Sequence, residues 1–321
     1  MEDRVLDAVR VASGAPGASW ARRPRRIEGG SWADTFKVRL AGVPGLAGDL
    51  VARVLPEPDS YEREMLVQQH VAKQGLPAPV VHLGSPPSKE FDRAWFLMDF
   101  DPGRRLVDST GTARILWAVA KSNHGSPRML ARAMVAIHQI EADPIASTPA
   151  SPRAVGPVLD WLYSRASAMG DRDLVKRAQR LLATRPPYRR SVLCHGDLHP
   201  LNILHSPGRD TIIDWTHAQY DDPLYDVAFT STAMTLIPVP APAFLRPAIA
   251  AIGARQARRF IREYERASKT QVDRARLEWF VRVIALRIRV EAAEWTRAHP
   301  LEDPHGNTSR LYVKVMPRHG L

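Results

Sequence analysis

The sequence predicts an α+β protein in which a small β-rich unit precedes a larger, mainly helical one. Three observations carry this. Short apolar runs with period-2 alternation, separated by Gly- and Pro-containing turns, dominate the first third. After a Pro-Gly turn at Asp101–Gly103 the apolar residues recur at helical spacing instead. In that second part three strand-like runs, "RRSVLCHGD", "NILHS" and "RDTIIDW", interrupt the helices and carry a dense set of polar side chains.

Taken in order, "RRIEGGSWADTFKVRL" holds two short segments around a Gly-Gly turn, and "AGVPGLAG" is a further turn. "DLVARVL" sets Leu50, Ala52 and Val54 against Val51, Arg53 and Leu55, the alternation of a strand. "SYEREMLVQQHVAKQG" repeats Met65, Leu66, Gln69, His70 and Ala72 at helical intervals, with Gly75 placed to end the helix. "APVVHLG" and "RAWFLMDF" read as two more strands. Beyond the hinge, "SPRMLARAMVAIHQIEA" has an apolar stripe at Leu130, Ala133, Met134, Ile137 and Ile140. Helical patterns recur in "PVLDWLYSRASAM", "DLVKRAQRLLA", "YDVAFTSTAMTL", "AIGARQARRFIREYERA" and "VDRARLEWFVRVIALRIRVEAAEWTRA". No fixed-period repeat is present. The domain expectation is therefore 1–101 for the first unit and 102–321 for the second.

Composition narrows the class. At 321 residues the chain can bury two or more cores, and 45% hydrophobic with 25% charged residues is ordinary for a globular protein. A single cysteine, Cys194, excludes an internal disulfide and reads as a small buried residue. "MEDRVLDAVR" carries acids and no long apolar core, and "TLIPVPAPAFLRPAIAAIGA" is broken by prolines, so neither a signal peptide nor a membrane span is expected. A cytoplasmic protein without membrane contact follows. The net charge of +11 lies largely on late helices, where acids are interspersed. Mixed signs at helical spacing describe a solvated face, and no nucleic-acid motif accompanies them, so no nucleic-acid partner is expected. A basic surface does favour an anionic small molecule such as a nucleotide.

The chemistry concentrates in "VLCHGDLHPLNIL". Asp197 and Asn202 stand five positions apart, and Asp214 follows Leu204 by ten residues in "TIIDW". Asn202 and Asp214 offer the hard oxygens that Mg²⁺ accepts alongside water and phosphate. Asp197 is a second carboxylate, able to take a proton from a hydroxyl. Phosphoryl transfer needs that set. In the first unit, Gly29 and Gly30 form a flexible turn that could close over phosphates. Arg53 lies on the strand after it, and Glu64 lies on the helix beyond, where it could hold Arg53; Glu62 is close enough to compete for that role. His195 and His199 read as hydrogen-bonding supports, because lone Cys194 beside them makes no zinc cage. Asp222 before Pro223 suits a helix N-terminus.

The order of these parts, ending in "HGDLHPLN" and "IDW", resembles the aminoglycoside phosphotransferase and choline kinase-like family of small-molecule kinases. "VLCHGDLHPLNIL" and "TIIDWTHAQYDDPLYDVA" are similar to that family's catalytic and metal segments, "LARAMVAIHQIEADP" to its helix ending in an apolar-His pair (Ile137, His138), and "FLMDFDPGRRL" to its hinge. The likeness runs from about Ile27 to about Leu236. It implies a bilobal protein-kinase-like fold, with a nucleotide-binding lobe and a larger catalytic and substrate-binding lobe. It implies ATP- and Mg²⁺-dependent transfer of the γ-phosphate to a hydroxyl of a small molecule, with GTP as the other donor to test. The acceptor would be an aminoglycoside, another antibiotic, a sugar or an amino alcohol.

Carried over by position, Asp197 is the base, Asn202 and Asp214 hold Mg²⁺, and Arg53 with Glu64 grips the nucleotide phosphates. Gly29, Gly30 and Ser31 cover those phosphates. The backbone of Asp99, Phe100 and Asp101 meets the adenine, and Ile213, with Ile203 or Leu204, lines its floor. His199 supports the loop or touches phosphate or metal-bound water. Asp222 and Asp226 brace the loop and the next helix. Arg53 departs from the family's usual lysine, which leaves a nucleotide-binding pseudokinase or regulatory module as the alternative. No "APE"-like segment follows Asp214, which argues against a protein kinase. The assembly expected is a monomer or homodimer.

Overall fold

The computed structural model describes residues 2–27, 33–55, 58–105, 126–141, 156–187, 189–236 and 246–298. Gly29, Gly30 and Ser31 lie outside the described residues. The elements run α1 (Glu2–Ser13), β1 (Ser19–Arg26), β2 (Asp34–Ala41), β3 (Asp49–Val54), α2 (Pro58–Lys73), β4 (Val81–Ser85), β5 (Trp95–Asp99), β6 (Arg104–Arg105) and α3 (Ser126–His138). They continue α4 (Gly156–Ala168), α5 (Arg172–Ala183), β7 (Val192–Cys194), β8 (Ile203–Ser206), β9 (Arg209–Ile212), β10 (Gln219–Asp221), α6 (Pro223–Leu236), α7 (Arg246–Ser268) and α8 (Arg274–Ala298). This is an α+β protein divided into two compact units. One comprises the described chain up to Arg105 together with Asn202–Ala218; the other comprises the remaining described residues.

The first unit is built on a five-stranded antiparallel sheet of order β1-β2-β3-β5-β4. The alternation in "DLVARVL" buries both faces. Leu50, Ala52 and Val54 pack with Val38, Leu40, Trp95 and Leu97 against Val5, Leu6, Ala8 and Val9 of α1. Helix α1 was not expected in a region that reads as strand-rich; its signal is the short apolar stripe at Val5, Leu6, Ala8 and Val9, spaced for one helix face. The opposite face gathers Val51, Leu55, Val81, Phe96 and Met98, with Met65 of α2 packed on it. Arg53 shares that face with Val51 and Leu55, so a cation projects from an apolar surface. A second, three-stranded sheet of order β6-β8-β9 belongs to the same unit.

In the second unit β7 pairs antiparallel with β10, and Cys194 faces Gln219 across the ladder. β10 was also not expected: three residues, "QYD", are too few to show a period. Helix α6 is apolar around most of its circumference and accordingly buried, with α7 and α8 packed against it. The helices α3 to α8 follow the patterns expected for them. No described helix is long and apolar enough to cross a membrane.

Candidate active site

In the first unit three sequence-selected side chains meet. The Arg53 guanidinium lies with Nε 3.1 Å from Glu64 Oε1 and Nη2 3.2 Å from Asp214 Oδ1. The Arg53 and Glu64 side chains are 10% and 0% exposed, against 32% for Asp214, so the cluster opens to solvent on the Asp214 side. Burial alone would weaken the charge on Arg53, but Glu64 and Asp214 outweigh it and raise its pKa. Thr216, which the sequence reading did not single out, closes the ring: Arg53 Nη2 donates to its hydroxyl at 3.2 Å, and that oxygen lies 2.8 Å from both Glu64 Oε2 and Asp214 Oδ1. One hydroxyl proton serves one carboxylate at a time. On α2, Glu64 reaches Arg53.

Asn202 and Asp214 sit at the same end of the β8–β9 hairpin. Ile203 pairs with Ile212, and the Ile213 N–H donates to the Asn202 carbonyl at 3.0 Å. Asp214 holds a left-handed backbone at φ +67°, which a short polar side chain tolerates better than most and which turns it away from the ladder. The donor chemistry fits Mg²⁺: an amide and a partly exposed carboxylate, both hard oxygen donors, delivered by adjoining strands.

At the hinge the Asp99 N–H donates to Val80 carbonyl at 3.0 Å and the Phe100 N–H to Asp49 carbonyl at 3.3 Å. Those two donors are already engaged within the sheet. The Asp99 carboxylate instead takes His82 Nε2 at 2.6 Å, and Lys37 Nζ stands 3.6 Å from the centre of the Phe100 ring. Asp101 accepts the Gly103 N–H at 2.7 Å and the Thr211 hydroxyl of β9 at 2.5 Å, tying the hinge to the hairpin that carries Asn202 and Asp214. Ile213 is half-buried beside them.

The second unit holds the "HGD" turn. Asp226, wholly buried on α6, accepts the His195 N–H at 2.8 Å and the Gly196 N–H at 2.7 Å. It also meets His138 Nε2 at 3.3 Å, and His138 Nδ1 meets the Tyr264 hydroxyl at 3.1 Å. Asp226 thus braces the loop. The Asp197 N–H donates to His195 Nδ1 at 3.3 Å and the Leu201 N–H to His199 Nδ1 at 3.2 Å. His199 Nε2 faces Asp197 Oδ2 at 3.6 Å. Asp222 accepts the Leu224 N–H at 2.9 Å, opening α6, and pairs with Arg276.

Side-chain atoms of His138, Cys194 and Asp226 lie within 4.8 Å of one another. They make a poor metal site. Burial, then the carboxylates of Asp226, Asp221 and Asp222, push the Cys194 thiol well above its ordinary value, and Asp226 already serves three donors.

The fold is that of a kinase-like α+β chain. A profile of the phosphotransferase enzyme family matches residues 24–280, and the chain belongs to that family. Solved structures agree on the fold. A type VIII aminoglycoside-3'-phosphotransferase is 21% identical, covering 89% of this chain and 98% of that one, with a TM-score of 0.61. An aminoglycoside phosphotransferase-like protein of Ralstonia eutropha is 16% identical over 99% and 95% of the two chains, with a TM-score of 0.64. An aminoglycoside phosphotransferase in ternary complex with ADP and hygromycin B is 18% identical over 96% and 97%, with a TM-score of 0.60. A comparison with curated protein sequences returns no match.

Proposed function

We propose that the protein uses Mg·ATP to phosphorylate a hydroxyl of a small molecule. The observation that carries this reading is the buried Arg53 guanidinium held by Glu64 and reaching Asp214, at the end of a hairpin that also bears Asn202. Within a phosphotransferase family, a cation fixed by a carboxylate is a phosphate grip, and two hard oxygens beside it suit a divalent cation. The first 101 residues serve the nucleotide and the chain from 102 onward serves catalysis and the acceptor. Nucleotide use is supported by the ADP complex of a relative of the same fold.

In this reading Asp197 accepts the proton of the acceptor hydroxyl as its oxygen bonds the γ-phosphorus. The bond from that phosphorus to the β-phosphate bridging oxygen breaks, and ADP leaves. Asn202 and Asp214 hold Mg²⁺, which supplies neutralisation of the phosphate charge. Gly29, Gly30 and Ser31 cover the phosphates, Asp101 and the carbonyls of Asp99 and Phe100 meet the base, and His199 orients Asp197. The arginine-rich late helices favour a neutral or anionic alcohol as acceptor over a polycationic aminoglycoside, which is the competing class.

The test is the thermal melting shift with ATP and with GTP, each with and without Mg²⁺. Saturation at about a hundred times the dissociation constant adds roughly 2.7 kcal/mol of stability. A Mg²⁺-dependent rise identifies the donor and leads to an acceptor screen. No shift with either nucleotide at millimolar concentration overturns the kinase reading in favour of a binding module.

A further inference from the structure

Helix α8 buries an arginine. Arg287 shares the inner face of the helix with Val283, Ile284 and Val290, and it is 4% exposed. A guanidinium in that position is costly unless its donors are used. They are. Nη1 donates to the Gly196 carbonyl at 2.7 Å and to the Tyr225 hydroxyl at 2.9 Å, Nε donates to Glu291 at 2.8 Å, and the Phe229 ring lies 5.3 Å below. Burial opposes its charge, but Glu291, Tyr225 and Asp197 more than offset this, so Arg287 stays a cation.

The contact with Gly196 matters because of what that carbonyl belongs to. The Gly196 oxygen and the Asp197 N–H are the two ends of one planar peptide unit. Arg287 holds the oxygen and His195 Nδ1 holds the N–H at 3.3 Å. The preceding N–H groups, of His195 and Gly196, are held by Asp226. Gly196 itself has a left-handed φ of +73°, where backbone freedom is large and an external clamp has most to fix.

We infer that Arg287 is a positioning residue for Asp197: by clamping the Gly196–Asp197 peptide it sets the direction in which the carboxylate projects, and it contributes a fixed positive charge beside it. This rests on the reading of Asp197 as the base. Arg287 lies seven residues beyond the end of the family match, so this support comes from a part of the chain outside the matched region.

Arg287→Met and Arg287→Lys test it, read by hydrogen–deuterium exchange of segment 192–199 and by phosphate release from Mg·ATP with water as acceptor. In Arg287→Met the Gly196 and Asp197 amides exchange at least about tenfold faster while Val192 and Leu193 on the paired strand keep their protection. Turnover falls by about 10²-fold, the scale of a 1 Å misplacement, with the KM for ATP changed by less than about threefold. Arg287→Lys, which can still reach one carbonyl, recovers much of both. A purely structural arginine would instead lower the melting temperature and loosen all the strands alike. Exchange at Gly196 and Asp197 that matches the parent overturns the inference. If Arg287→Met fails to fold, Tyr225→Phe with Glu291→Gln keeps the guanidinium but removes its anchors. The same local loosening is then expected, and its absence is equally decisive. Asp197→Ala separates the two ideas: if turnover survives there, the base assignment fails, whereas the exchange readout judges the clamp by itself.

Discussion

Arg53 Nη2 stands 3.2 Å from Asp214 Oδ1 while its Nε faces Glu64 at 3.1 Å, so one side chain bridges a helix carboxylate and the carboxylate of the "IDW" segment. A lysine offers one ammonium nitrogen on a flexible stem; the planar guanidinium addresses both acids and Thr216 from fixed directions. The departure from the family's usual lysine is therefore accommodated by local partners. Removing the cation leaves Glu64 buried without its charge partner. Arg53→Met is expected to destabilise the fold by about 3–5 kcal/mol in urea denaturation. Arg53→Lys should cost clearly less, because the charge remains. A loss below about 1 kcal/mol for the methionine variant would show the pair to be solvated, as exposed ion pairs are.

Asp214 is the partly exposed member of that cluster, which sets a second expectation. Asp214→Ala leaves Arg53 held by Glu64, so nucleotide binding through the guanidinium should persist in part. The Mg²⁺-dependent part of the melting shift, up to about 2.7 kcal/mol at a hundredfold excess over the dissociation constant, should vanish. An unchanged Mg²⁺ increment would remove Asp214 from the metal site.

How far this was visible in the sequence depends on how local each signal is. "HGDLHPLN" and "TIIDW" announce themselves because polar residues interrupt apolar strand runs, and the strand alternation put Arg53 on the face it shares with Val51 and Leu55. Glu64 was named as the partner of Arg53 from its place on the following helix, and it lies 3.1 Å from the guanidinium. Thr216 and Thr211 carried no signal, since a threonine near a strand end is commonplace; only the pairing with Arg53 and Asp101 gives them a role. Arg287 was one arginine among many on a basic helix, and its partner carbonyl lies 91 residues upstream. The return of Asn202–Ala218 to the first unit is likewise a long-range event that no local period encodes.

Asp226 tests the brace on the "HGD" turn. Its two oxygens accept two backbone N–H groups and face His138 in a fully buried site. Asp226→Asn turns one oxygen into a donor aimed at other donors. A loss of about 2–3 kcal/mol is expected, the cost of leaving a buried donor unsatisfied, together with faster exchange at His195 and Gly196. Full stability with a protected turn would show that the loop holds its shape through other contacts.

Asp221 gives a pH dependence with a definite sign. It is wholly buried, and burial lifts its carboxyl well above the ordinary value of 3.8, with the charges of Asp222 and Asp226 pushing the same way. Gln219 and the Asp222 N–H donate to it, at 3.1 and 2.5 Å, without cancelling that effect. A carboxyl whose pKa is raised by folding keeps its proton longer in the folded chain than in the unfolded one. Its contribution is thus most favourable below the unfolded value and is lost progressively as the pH rises toward the folded one. Asparagine imitates the protonated acid at every pH and keeps an oxygen for the Asp222 N–H. Asp221→Asn is therefore expected to be more stable than the parent above about pH 4, with a gap that widens by up to about 1.4 kcal/mol per pH unit until the folded-state pKa is reached. Urea midpoints at pH 5, 6, 7 and 8 measure it. A gap that stays constant across that range would mean the Asp221 carboxyl is ionised in the folded chain throughout, and its burial would then need a cation partner to explain it.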